Sequence, residues 1–362
     1  MIAESLAEMS FDSSEPLPDP RRFGTGDHPW LTLPPDALQH ALREACSRGT
    51  AAEIAVALRA AGTGAAYAAM WDRVCDVAHH AGAAAGTALV ARVFALPLII
   101  VTGSRKPVRL SGALPEIGAL SELFLQKGIL GKTRNFGLGN ALCTLETIES
   151  VTPAEVYAWT SAGGTQRREL PPAPLVVGEP GEMVHLRFLV GAGIAPASEP
   201  PLTETASNIG AWGMALTRLL AAQLAQDGVE VLPMARPPCD LLRAAHAGRT
   251  AQLETACNLF ASNAVRRFRT TGGDPVAIIS THDNGELRLT LSQPFDAQMV
   301  EGFRWPLHPL DDLAAIAAAM RELLTACRIG RIEMAPRVLP DCQSGSVAWF
   351  PRVQEWPQLA GH

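Results

Sequence analysis

At 362 residues, 48% hydrophobic and 18% charged, the chain can bury a sizeable core, which excludes a protein disordered throughout. Its net charge of −6 opposes general nucleic-acid binding, which draws on an excess of positive charge. Alanine and arginine are abundant while lysine and tyrosine are scarce, the bias of a GC-rich bacterial genome.

The first segment, residues 1–30, reads as an extended N-terminal arm, from Pro16, Pro18, Pro20 and the Gly24–Gly26 pair. Met1 to Pro20 carries Glu4, Glu8, Asp12 and Glu15, with no cationic start and no apolar h-region, so it does not read as a secretory signal. Pro34-Pro35-Asp36 opens a helix with Leu38, Ala41, Leu42 and Ala45 on one face. Alanine-rich helical pattern continues over 51–59 and from 65 to about 92. Leu96 to Thr102 reads as a short buried strand, followed by a loop with Arg105, Lys106 and Arg109. The most apolar run, 81–101, contains Arg92 and Pro97, and a charge in its middle argues for buried structure over a membrane span.

Pro115 opens a helix to about Gln126, and Thr152-Pro153-Ala154-Glu155 has the capping-box arrangement. The glycines and prolines of 161–181 mark a linker. Beyond it, 183–190 alternates as a strand, 207–226 is a helix, 229–234 a strand, and Pro237-Pro238 opens a helix to about Arg267. Val276–Thr281 and Glu286–Leu291 flank Asp283-Asn284-Gly285, a hairpin signal that calls for φ > 0 at both Asn284 and Gly285. A helix over 311–326 and a strand near 331–334 follow.

These elements predict an α+β, mixed α/β, fold: a helix-rich N-terminal half, then a mixed sheet with helices packed on it. The expected units are the arm (1–30), a helix-rich domain with a short buried strand (31–160), the linker (161–181), an α/β domain with a hairpin at 276–291 (182–340) and a C-terminal tail (341–362).

All three lysines, Lys106, Lys127 and Lys132, fall within 104–134, where Arg105, Arg109 and Arg134 join them against Glu116 and Glu122. This basic island on an acidic chain suits an anion, a phosphate or an acidic partner surface. Arg105, Lys106, Arg109, Lys132 and Arg134 are the expected binding residues, with Asn135 or Asn140 adding hydrogen bonds.

The remaining motifs have structural explanations. Gly128-Ile129-Leu130-Gly131-Lys132-Thr133 resembles the end of a phosphate loop, but Gln126 stands where the mechanism needs glycine, so a turn is expected. Gly191-Ala192-Gly193 and Gly137-Leu138-Gly139 lack the third small residue of a dinucleotide fingerprint and read as turns. Cys75 and His79, with His80 alongside, share a helical face but find no second ligand cluster, so a buried thiol and partly buried histidines are expected rather than zinc. His282 is a candidate base without a recognisable triad. Arg266, Arg267 and Arg269 suit the last turn of a helix. The tryptophans at 305 and 349–356 sit near prolines, as docking surfaces or as lids.

Seven cysteines without paired spacing suggest free thiols in a reducing compartment, so the chain is expected to be cytoplasmic. No cofactor or metal is implied. The leading expectation is a non-catalytic accessory or assembly protein of a bacterial multi-protein system, binding a partner protein with an acidic surface through 104–134. The alternative is an enzyme whose small anionic or phosphorylated substrate is held by the same cations. Nucleic acid is not an expected partner.

Overall fold

The structure, a computed structural model, describes residues 17–81, 88–103, 108–110, 113–161, 175–177, 183–199, 202, 208–224, 228–233, 236–271, 273–294, 299–341, 349–352 and 355. Chain contacts gather into two compact units, one from residues 24–254 and the other from 1–23 together with 255–362. The fold is mixed α+β, and no described helix is long and apolar enough to cross a membrane.

In the 24–254 unit, helices α1 (Pro35–Arg48), α2 (Ala51–Arg59) and α3 (Gly64–His79) form a small bundle around Leu42, Ile54, Met70 and Val74. Prolines at the first turn and Gly49 at φ 74° delimit α1, and Thr63 caps α3 by accepting from the Ala66 N–H.

The helical pattern expected to reach residue 92 is broken sooner: α3 ends at His79, residues 82–87 lie outside the described residues, and strand β1 (Leu89–Thr102) starts well before Leu96. The correction has a physical cause. Central strands buried on both faces read as unbroken apolar runs, and periodicity cannot separate these from buried helix. β1 pairs antiparallel with β5 (Val184–Pro196) from Leu89↔Pro196 to Val101↔Val184. Its other edge carries the short strands β6 (Val229–Val231), at residues 100–102, and β7 (Cys239–Asp240), at 94–95. Pro97, which has no N–H to donate, falls in the gap between those two partners.

Strand β2 (Val108–Leu110) pairs with β4 (Leu175–Val177), and β3 (Arg134–Cys143) adds to the outer edge of β5. Of the expected linker, 162–174 and 178–182 lie outside the described residues. Segments from either side of it, β1 and β5, share one sheet.

Helices cover both faces of that sheet. The even side chains of β1, Phe94, Leu96, Leu98 and Ile100, pack with Leu120 and Phe124 of α4 (Ile117–Gln126). The same cluster takes Trp212, Leu216 and Leu220 from the helix Ile209–Gln223. The odd ones, Val93 and Ala95, join Cys75, Ile148, Val156 and Leu242 on the opposite side, from α3, α5 (Leu145–Glu149), α6 (Pro153–Ser161) and the long helix Leu241–Thr270. In chain order the last two helices named are α7 (Ile209–Gln223) and α8 (Leu241–Thr270). The expected capping box is present: Thr152 N–H donates to Glu155 Oε2 at 2.9 Å, and Glu155 N–H to Thr152 Oγ1 at 3.2 Å.

The glycine pairs read as turns lie within strands instead. A Cβ on Gly191 would sit 2.4 Å from the Phe94 ring, and one on Gly193 would sit 2.5 Å from Thr133 Cγ2. These glycines let side chains of neighbouring strands lie across the backbone of β5.

The other unit holds β8 (Val276–His282), β9 (Glu286–Ser292) and β10 (Val300–Pro306) as an antiparallel meander, with β11 (Ile332–Met334) parallel to β8 after α9 (Leu313–Ala326). The hairpin forms as expected, but its loop is three residues. Gly285 N–H closes a turn on His282 O at 2.9 Å, and only Gly285, at φ 81°, is left-handed. A three-residue loop places αL at its last residue alone, so Asn284 is free of that demand. Arg21, near the start of the described arm, donates to the carbonyls of His308, Pro309 and Asp311.

Candidate functional site

In the 24–254 unit, α3, β1 and the β7–α8 junction enclose a cavity of about 200 Å³. Asp76, His79 and His80 enter from the last turn of α3, where spacings of three and four put side chains on one face. β1 supplies Arg92, the β7–α8 junction supplies Asp240 and Arg243, and Leu202 closes an apolar side.

Asp240 sits where a helix cap is needed. Its Oδ1 accepts from the Arg243 N–H at 2.9 Å, and its Oδ2 takes the Arg243 guanidinium at 2.8 Å. The same guanidinium reaches Asp72 at 3.2 Å and Asp76 at 3.0 Å, tying the start of α8 to α3. Arg243 is thus held mainly by structural partners. Burial lowers its pKa, but Asp240 and the neighbouring acids outweigh that and keep it firmly charged.

His79 is 6% exposed. Its Nδ1 lies 2.9 Å from the Cys75 carbonyl, which can only accept, so Nδ1 carries the proton and Nε2 carries the lone pair. Nε2 has no hydrogen-bond partner among the described residues and stands 3.8 Å from Asp240 Oδ1. Burial holds the imidazole below its ordinary pKa despite Asp240, so it is neutral near pH 7. Burial also pushes the Asp240 carboxyl up, but His79 and Arg243 pull it further the other way, and it stays ionised.

Arg92 is 8% exposed. Its Nη2 donates to the Glu199 carbonyl at 2.6 Å, while Nη1 has no hydrogen-bond partner among the described residues. A buried guanidinium nitrogen without an acceptor costs free energy, so an acceptor brought to Nη1 would be stabilising.

Of the residues expected from the sequence, Arg105 and Lys106 lie outside the described residues, and Arg109 is described only as backbone of β2. Lys132 and Arg134 are exposed, at the start of β3. Lys132 Nζ lies 3.7 Å from Glu199 Oε2, so the residue whose carbonyl holds Arg92 also meets the island. Asn135 is left-handed at φ 48°, and both Asn135 and Asn140 are exposed. Gly128 and Gly131, at φ 60° and 56°, form the expected turn.

Among the described residues no group of three or more His, Cys, Asp and Glu is arranged to hold a metal ion. Cys75 is fully buried, and burial drives its thiol well above the ordinary value.

In the other unit, His282 is fully buried, with Nε2 3.0 Å from Ser280 Oγ. Arg266, Arg269 and Arg328 line an open groove there, of about 520 Å³, where α8 and α9 end. Arg269 is spent on Asp274 and on the carbonyls of Cys327 and Arg328, and Arg267 on Glu301. The helix ends favour cations here, as the sequence suggests. Trp305 is buried at 3% exposure on the sheet face of Leu287, and Trp349 packs beside Leu339 and His282 on the other, so each covers a sheet face.

Sequence reasoning found His79 but paired it with Cys75, and it used Arg92 only to argue against a membrane span. A lone arginine inside an apolar run was the signal that could have found the site. Asp240, three residues before Arg243, was legible as a cap. No protein family, curated protein or solved structure matches the chain.

Proposed function

We propose that the protein recognises a small anion in the cavity between α3, β1 and the start of α8, with Arg92 as its anchor. The observation that supports this reading is Arg92, a lining residue of the cavity whose buried guanidinium has Nη1 unpartnered among the described residues. A carboxylate or phosphate oxygen is the acceptor that guanidinium binds best. The volume, about 200 Å³, suits a metabolite smaller than the ligands of ~300–1,000 Å³ sites. The neutral imidazole of His79 beside it makes the cavity competent for proton transfer, so an enzyme acting on such an anion falls within this reading.

Titration calorimetry with small carboxylates and inorganic phosphate tests it. Arg92→Gln should weaken binding roughly 10–100-fold, the worth of one charge-assisted hydrogen bond. Unchanged affinity in a folded variant would exclude Arg92 as the anchor.

A second reading keeps the chain as an accessory protein that docks an acidic partner surface. The exposed side chains of Lys132 and Arg134 favour it. Reversing both charges should then release a partner that co-purifies with the native chain; retention of that partner would count against this surface.

A further inference from the structure

We infer that the ligand is zwitterionic, a small amino acid or aminated phosphate, whose ammonium sits between His79 Nε2 and Asp240 Oδ1 while its anionic end meets Arg92. The inference rests on the anion-binding reading above and extends it to two further residues that line the same cavity.

Two acceptors face each other there. Because Nδ1 donates to the Cys75 carbonyl, Nε2 offers only a lone pair. Asp240 Oδ1 accepts from the Arg243 backbone N–H and, as a carboxylate oxygen with two lone pairs, retains acceptor capacity. The two atoms are 3.8 Å apart. A donor placed at ordinary hydrogen-bond distance, about 2.9 Å, can reach both at once.

The nature of the donor follows from counting protons and charges. A hydroxyl has one proton and satisfies one acceptor. An ammonium has three and satisfies both, with one to spare. Asp240 is ionised and His79 neutral, so the pair carries a net negative charge that an ammonium complements and a second anion would not. Arg243 does not supply that charge balance alone, because it is shared with Asp72 and Asp76. Arg92 and the His79–Asp240 pair therefore define opposite demands within one small space, a cation for an anion and an acceptor pair for a cation.

Titration of the intact chain with paired probes tests the inference: straight-chain carboxylates of two to six carbons and small phosphomonoesters, each with and without an amine. The series spans lengths so that one member matches the separation of the two ends. At least one aminated probe should bind at least tenfold more tightly than its unaminated counterpart. Within the His79→Gln variant, the aminated probe should bind no more tightly than its own unaminated counterpart. If unaminated probes bind and amines add nothing, the inference falls while the anion reading stands. It falls in the same way if Arg92→Gln weakens the plain anions but no probe binds through an amine. If no probe of either kind binds, both readings fail. The wild-type comparison decides the matter even where the His79 variant does not fold.

Discussion

The guanidinium of Arg288, fully buried, donates to the main-chain carbonyl of Trp349 at 2.7 Å across sixty-one residues of sequence. Arg288 also holds Glu286 and Asp341, each at 2.7 Å, and Glu286 pairs with Arg304 as well. One side chain thus fastens the C-terminal segment to the polar face of the β8–β10 sheet, with Phe350 stacked over it. The opposite face is apolar, where Phe303 meets Phe260 of α8.

Arg288→Met should cost about 3–5 kcal/mol, because it removes the buried cation shared by the Glu286 and Asp341 carboxylates and the donor to the Trp349 carbonyl, leaving Glu286 with Arg304 and Asp341 with Asn284. Urea denaturation of the variant measures it. A loss below about 1 kcal/mol would mean that the network is hydrated and not sealed.

Gly302 makes the same point sterically. A Cβ there would lie 2.2 Å from the Phe350 ring, so Gly302→Ala should displace the C-terminal segment without unfolding the sheet. Limited proteolysis should then cut near 349–355 faster than in the parent, at unchanged circular dichroism. Equal cutting rates would contradict this.

Gly191→Val should be worse, since its Cβ meets the Phe94 ring in the centre of the larger core. Overpacking of this kind costs about 1–3 kcal/mol or more, and a drop in thermal midpoint would report it. By contrast Thr152→Ala, which removes one arm of the capping box, should cost only about 1 kcal/mol.

That contrast marks how far the sequence could be read. Proline, threonine and glycine signals act locally, so the limits of α1, α4, α6 and the β8–β9 hairpin were legible. The change from α3 to β1 was not. Its alanine-rich surroundings favour helix, and only pairing with β5, some ninety residues away, makes Leu89–Thr102 a strand. β10 also escaped, because Glu301, Gly302, Arg304 and Pro306 carry little strand propensity and its state comes from β9. The candidate site is scattered over 76–243, with no spacing that could encode it. Arg92 betrayed itself only as a charge where none was expected.

His282 supplies the last prediction. It is fully buried beside Ser280 and edge-on to Trp349, and Arg288, Glu286, Asp341 and Arg304 share its sheet face. Burial first, and then the charge of Arg288, push its pKa down from 6.5 to about 4, against the opposing pull of Asp341 and Glu286. Between those values the unfolded chain binds a proton that the folded chain refuses, so stability must rise with pH. The contribution is complete above about 6.5 and is lost as pH falls toward 4. At about 1.4 kcal/mol per unit this amounts to about 3 kcal/mol at most. The His282 ring protons, followed by NMR, should titrate near 4, and denaturation midpoints should decline through the same window. His79, also held below its ordinary value by burial, adds a loss of the same sign in its own unit. The titration of His282 itself separates the two: a ring midpoint above 6 would show that the C-terminal segment does not seal the sheet face it covers.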